Sequence, residues 1–211
     1  MRSVGKPPIS FKDYERIYKT IHSIVEAEGG KVAHACLYFS IMGAYLLNEH
    51  YRLHAKVYGG GAIYQLGGDK RKLMFGEIKD NVFTSGPDGF HLWIEVDGWL
   101  IDFMAPNFPL LPTESNSGLE TRLLMLPLTE NKNRLSNFSE GNEFLLLHNN
   151  ALANEVIDQF FSYPANKDFL DIAINWFCKP SKKMKKGLEL CDQNGCSKPV
   201  AFTGRSLIGA W

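Results

Sequence analysis

Three side chains in this 211-residue sequence are of the types that nucleophilic thiol chemistry uses: Cys36, His91 and Asp102. A thiol attacks a carbonyl once a histidine takes its proton, and an acid that orients the imidazole completes the set. His91 and Asp102 lie in one stretch, His91 to Met104, where two alternating runs flank Asp97-Gly98. That dipeptide favours a tight hairpin turn because both residues tolerate positive φ. With these two as the loop, Val96 opposes Trp99, Trp93 opposes Asp102 and His91 opposes Met104. One face then carries Leu92, Ile94, Val96, Trp99, Ile101 and Phe103, which reads as a core wall. The other carries His91, Trp93, Glu95, Leu100, Asp102 and Met104, and is expected to be the working surface. Asp102 lies diagonal to His91, roughly 7–8 Å away along the backbone, a gap two side chains can bridge.

The nucleophile must come from elsewhere. Cys36 precedes the apolar run Leu37 to Leu47, which reads as a helix buried nearly all round. At a helix start the unpaired N–H groups and the positive end of the dipole favour a thiolate. Taken alone, a cysteine there is read as a small buried residue. The downstream histidine and acid make it the nucleophile. His34, two residues earlier, is a candidate donor to an oxyanion, and Tyr38 and Trp93 are candidate cleft-lining aromatics.

These residues resemble the core of the transglutaminase-like superfamily. Cys36, the helix end Leu46-Leu47 and the following Tyr51 to Gly59 are similar to its first half. His91-x-Trp93-x-Glu95-Val96-x-x-Trp99-x-x-Asp102 is similar to its second half. The resemblance spans about residues 30–106. It implies an α+β, papain-like fold, with N-terminal helices, a nucleophile helix packed on an antiparallel sheet, and C-terminal helices. It also implies Cys36 as nucleophile, His91 as general base and acid, and Asp102 as the residue that orients His91. Because Ala35 stands where the family often has glycine, and the chain is short, hydrolysis of an amide or peptide is expected rather than crosslinking. Transfer to an amine acceptor is the alternative. So is an acetyltransferase, though no coenzyme A site is visible. A non-catalytic binding module keeping the fold, or a metal site built from Cys36, His91 and Asp102, are the remaining rivals.

The rest of the chain must position these residues. A length of 211 residues suits one domain over 1–211 with a substantial core. Lys plus Arg and Asp plus Glu both total 23, so charge gives no argument for nucleic acid. No apolar leader or membrane span is seen, so a cytoplasmic protein with reduced cysteines is expected. The expected partner is a small amide, peptide or protein acyl substrate, with no cofactor, metal or membrane. Ser10 with Asp13 resembles a capping box before a helix through Val25 that ends at Gly29-Gly30. Gly59-Gly60-Gly61 reads as a kinked strand, Lys72 to Phe75 as a short strand, and Asp80 to Gly89 as a turn-rich loop. Pro106 to Pro112 reads as a lid or a crossing. Arg122 to Leu128 and Glu143 to Leu147 read as buried strands, with helices over Asn150 to Phe161 and Lys167 to Cys178 separated at Tyr163-Pro164. Lys179 to Lys186 reads as a solvated basic run. Cys191 and Cys196 form at most half a zinc site, and no other histidine has a carboxylate at a telling spacing.

Overall fold

Ser10 caps the first helix as its side chain suggests. Its Oγ accepts from the Asp13 backbone N–H at 3.2 Å and donates to the Asp13 carboxylate at 2.6 Å. Helix α1 (Phe11–Ala27) buries Tyr14, Ile17, Tyr18 and Ile21, one apolar stripe at helical spacing. In the computed structural model the described residues are 5–66, 71–80, 82–111, 119–128, 144–178, 187–191 and 196–211. A short 3-10 turn (Val32–His34) leads directly into helix α2 (Cys36–Tyr51). That helix is apolar on most sides and lies against the sheet through Gly43. A Cβ at Gly43 would come within 2.4 Å of the Phe103 ring and 3.0 Å of Ile94.

The sheet is antiparallel and curled around strand β1 (Lys56–Leu66). The first half of β1 pairs with β5 (His91–Val96), its last five residues with β2 (Arg71–Phe75), and Gly60 to Tyr64 with β8 (Phe144–His148). The glycines are where β1 changes partners. Gly60 has φ +150°, and a Cβ there would lie 1.9 Å from the Leu147 carbonyl oxygen, so only glycine fits. Strands β6 (Trp99–Asp102) and β7 (Leu124–Pro127) extend the sheet beyond β5.

The β5–β6 hairpin has the expected register, with Val96 opposite Trp99 and Ile94 opposite Ile101. Asp97 and Gly98 have φ +50° and +78°, the two positive values of a type I′ turn. The hairpin differs from expectation in its surroundings. Both faces are buried, so the face with His91 and Trp93 is not an open working surface.

Other elements depart from the sequence reading for identifiable reasons. The Asp80 to Gly89 region carries part of an extra hairpin, β3 (Glu77–Lys79) with β4 (Val82–Thr84). Within the stretch read as a lid or a crossing, Ala105–Leu110 is a 3-10 turn whose residues Ala105 to Phe108 are buried, which argues against a lid, and Pro112 lies outside the described residues. Pro164 does not separate the last helices but opens the second, at a position where its missing N–H has no partner to lose. These are α3 (Asn150–Ser162) and α4 (Pro164–Phe177). A C-terminal hairpin, β9 (Gly187–Cys191) with β10 (Ser197–Ala201), packs near α1. The basic run Lys179 to Lys186 and the stretch Thr113 to Gly118 lie outside the described residues. No helix among the described residues is long and apolar enough to cross a membrane.

Candidate active site

Cys36 is the first residue of α2, and its neighbours explain why. The first intrahelical bond runs from Phe39 N–H to the Ala35 carbonyl at 3.0 Å. The N–H groups of Cys36, Leu37 and Tyr38 therefore have no partner within the helix and point out of its end. The side chain of Cys36 is half-buried.

His91 and Asp102 meet as the hairpin register requires. His91 Nε2 lies 2.6 Å from Asp102 Oδ2, and both residues are closed to solvent. The other carboxylate oxygen, Oδ1, accepts the Met104 backbone N–H at 2.9 Å, which fixes the acid. From α1, the Tyr14 hydroxyl donates to the Asp102 backbone carbonyl. The remaining ring nitrogen, His91 Nδ1, is buried without a well-formed hydrogen bond. Burial alone disfavours an imidazolium, but the Asp102 carboxylate outweighs it, helped by interaction with the Cys36 side chain. The pKa of His91 is raised to about 9.

Three aromatic residues that the sequence reading did not single out enclose the imidazole. Phe75 of β2 stacks on it with centroids 4.1 Å apart and planes 15° apart. Tyr64 meets it edge-on at 5.9 Å, and Phe108 lies at the same distance. Burial and the Asp102 charge hold the Tyr64 hydroxyl well above the usual phenol range. None of these belongs to a motif; each comes from a different element that closes over the hairpin.

The secondary candidates are placed differently. Trp93 is fully buried and does not line a cleft. Its Nε1–H donates to Glu95 at 2.9 Å, and Glu95 also holds His148 Nε2 at 2.8 Å. His148 thus does have a carboxylate partner, supplied across β1 where no sequence spacing shows it. Burial pushes the Glu95 carboxyl up, but the bonds from His148 and Trp93 outweigh it and hold it below the usual value. Tyr38 packs between Phe160 and Phe169, with its hydroxyl toward Asn166, so it contacts the C-terminal helices and not the imidazole. His34 is exposed on the 3-10 turn before Cys36. Among the described residues no group of three or more His, Cys, Asp and Glu could hold a metal ion.

What these elements define is an α+β protein with a curled antiparallel sheet, on which the side chain of a helix-start cysteine interacts with the histidine of a buried histidine–aspartate pair. The chain belongs to the family described as "Protein of unknown function (DUF2026)", whose model matches residues 10–211. It is also similar to a solved structure described as "The crystal structure of genomics APC5867". That likeness has 30% identity and a TM-score of 0.85, covering 99% of this chain and 100% of the other. None of the curated proteins compared with the chain matches it.

Proposed function

We propose that this protein is a thiol-dependent acyl-transfer enzyme of papain-like, transglutaminase-like architecture, acting in the cytoplasm on an amide or peptide bond. What supports the reading is the closed His91–Asp102 pair, held at 2.6 Å, together with the interaction of His91 with the side chain of Cys36 at the first residue of α2. In the reaction, His91 takes the proton of Cys36 and the sulfur bonds to the substrate carbonyl carbon. The backbone N–H of Cys36 faces the developing oxyanion. The tetrahedral intermediate collapses, the C–N bond breaks, and His91 returns the proton to the leaving amine. Water, deprotonated by His91, then adds to the thioester and releases the acid and the thiol. Asp102 keeps the imidazole in the orientation each transfer needs.

The experiment is to treat the protein with electrophilic acyl probes and map the labelled cysteine by mass spectrometry, then to screen small amides and peptides. Fast acylation confined to Cys36 and lost in His91→Ala supports the proposal. Acylation spread evenly over Cys36, Cys178, Cys191 and Cys196 refutes it. Running the screen with and without added amines decides between water and an amine as acceptor.

A further inference from the structure

We propose that Tyr64 is a further positioning residue of this site, its hydroxyl donating to Asp102 and so fixing the acid that holds His91. The inference deepens the acyl-transfer reading, and rests on it only for the part Tyr64 plays in turnover.

Tyr64 is set by the backbone on both sides. Within β1 it pairs with Leu73 of β2 along one edge and with Phe144 of β8 along the other. Its ring stacks on Phe108 with centroids 5.6 Å apart and meets Phe75 edge-on at 6.3 Å. These contacts hold the ring edge-on to His91 at 5.9 Å.

The hydroxyl at the tip of that ring is closed to solvent and has no well-formed hydrogen bond, yet it interacts with the Asp102 side chain. A buried hydroxyl left without an acceptor destabilises a fold. The titratable groups that face it are Asp102 of β6, His91 of β5, Tyr14 of α1 and Cys36 of α2. The Tyr14 hydroxyl is already committed to the Asp102 backbone carbonyl. A thiol accepts only weakly, and an imidazolium not at all. That leaves the Asp102 carboxylate, which has capacity to spare. A carboxylate offers about four lone-pair positions, and His91 on Oδ2 and the Met104 N–H on Oδ1 take two of them.

A third donor stops the carboxylate from turning away from Nε2. It also spreads the negative charge, so that Asp102 pulls less strongly on the imidazolium. The phenol keeps its proton throughout, because burial and the Asp102 charge hold its pKa well above the usual range.

The test is Tyr64→Phe, which keeps the ring and removes the hydroxyl, with the His91 imidazole titrated by NMR. The midpoint should rise by roughly half a pH unit over the unaltered protein, since Asp102 then spends its charge on fewer donors. The melting temperature should fall by a few degrees, as expected when a hydrogen bond to a charged group is lost. A midpoint that stays or falls overturns the proposal. So does a melting temperature that stays or rises, the mark of a hydroxyl that had no acceptor. Should Tyr64→Phe not fold, 3-fluorotyrosine in place of Tyr64 supplies a stronger donor of nearly the same shape. It should lower the His91 midpoint, and an unchanged or raised midpoint overturns the proposal. Neither titration needs substrate or turnover. Failure here therefore leaves the acyl-transfer reading untouched, and an unreactive Cys36 would leave the Tyr64–Asp102 contact untouched.

Discussion

His91 and Asp102 share a 2.6 Å contact between Nε2 and Oδ2 with neither side chain open to solvent. Eleven positions apart in sequence, they are joined by nothing more than a two-residue turn and its register. From this contact follow the strongest tests of the proposed chemistry.

The charge state of His91 should persist to unusually high pH. Its pKa is raised from 6.5 to about 9, so the basic limb of the pH–activity profile should fall near 9. Linkage gives the matching stability effect. Protonated His91 stabilises the fold fully below pH 6.5, and that contribution is lost as pH rises through about 9. NMR titration of the imidazole reads the midpoint directly. In Asp102→Asn, burial acts without the opposing charge, so the midpoint should drop below 6.5. A midpoint near 6.5 in the unaltered protein would contradict the electrostatic picture.

Asp102→Asn should separate orientation from nucleophilicity. The comparable change in serine hydrolases lowers kcat by about 10⁴, because the amide supports the wrong tautomer. A cysteine nucleophile depends less on the acid, so a loss on the order of 10²–10³ is expected in probe acylation, against near-complete loss for Cys36→Ala and His91→Ala. Thermal melts run alongside guard against simple unfolding, since removing one partner of a buried pair outright, as in Asp102→Ala, costs roughly 3–5 kcal/mol. A folded Asp102→Asn protein with unchanged acylation would make Asp102 a structural residue.

Gly43→Ala tests whether α2 must lie flush on the hairpin. The added methyl would press on Phe103 and Ile94. Overpacking of this kind costs about 1–3 kcal/mol, partly offset by the roughly 1 kcal/mol gain in helix propensity. The melting temperature should fall by a few degrees, and acylation of Cys36 should slow as the helix start is displaced from His91. Unchanged melting and unchanged acylation together would show that the helix is loosely seated.

Glu95 offers the contrasting case of a carboxylate with a structural task. Glu95→Leu leaves the buried Trp93 Nε1–H without its acceptor, a loss of about 1–3 kcal/mol, or a few degrees in melting temperature. Acylation of Cys36 should stay within about threefold of the unaltered rate. A large drop in acylation at unchanged stability would instead bring Glu95 into the chemistry.

What the sequence made legible was local. The Asp97-Gly98 turn, the alternation on each side of it and the Ser10 cap are decided by neighbours, so the register that joins His91 to Asp102 could be read directly. The cover over that pair could not. Phe75, Tyr64 and Phe108 reach His91 from β2, β1 and the 3-10 turn, and their placement depends on how a glycine-kinked strand curls. Trp93 misled for the same reason: an aromatic on the face of a candidate catalytic histidine reads as cleft lining until β8 brings His148 against it. The Glu95–His148 pair is likewise a meeting of distant segments, 53 residues apart.

The enclosure of His91 has a consequence for where its proton can travel. Asp102 occupies one ring nitrogen, the other is sealed from water, and aromatic rings cover the imidazole. Among the described residues, the exit that remains is through the half-exposed sulfur of Cys36, whose side chain interacts with His91, and whatever is bound there. In the proposed reaction, a proton lifted from the thiol would therefore be retained by the fold and returned to the departing amine instead of being lost to bulk solvent. Between turnovers, isotope on that ring should wash out slowly, and substrate should set the pace.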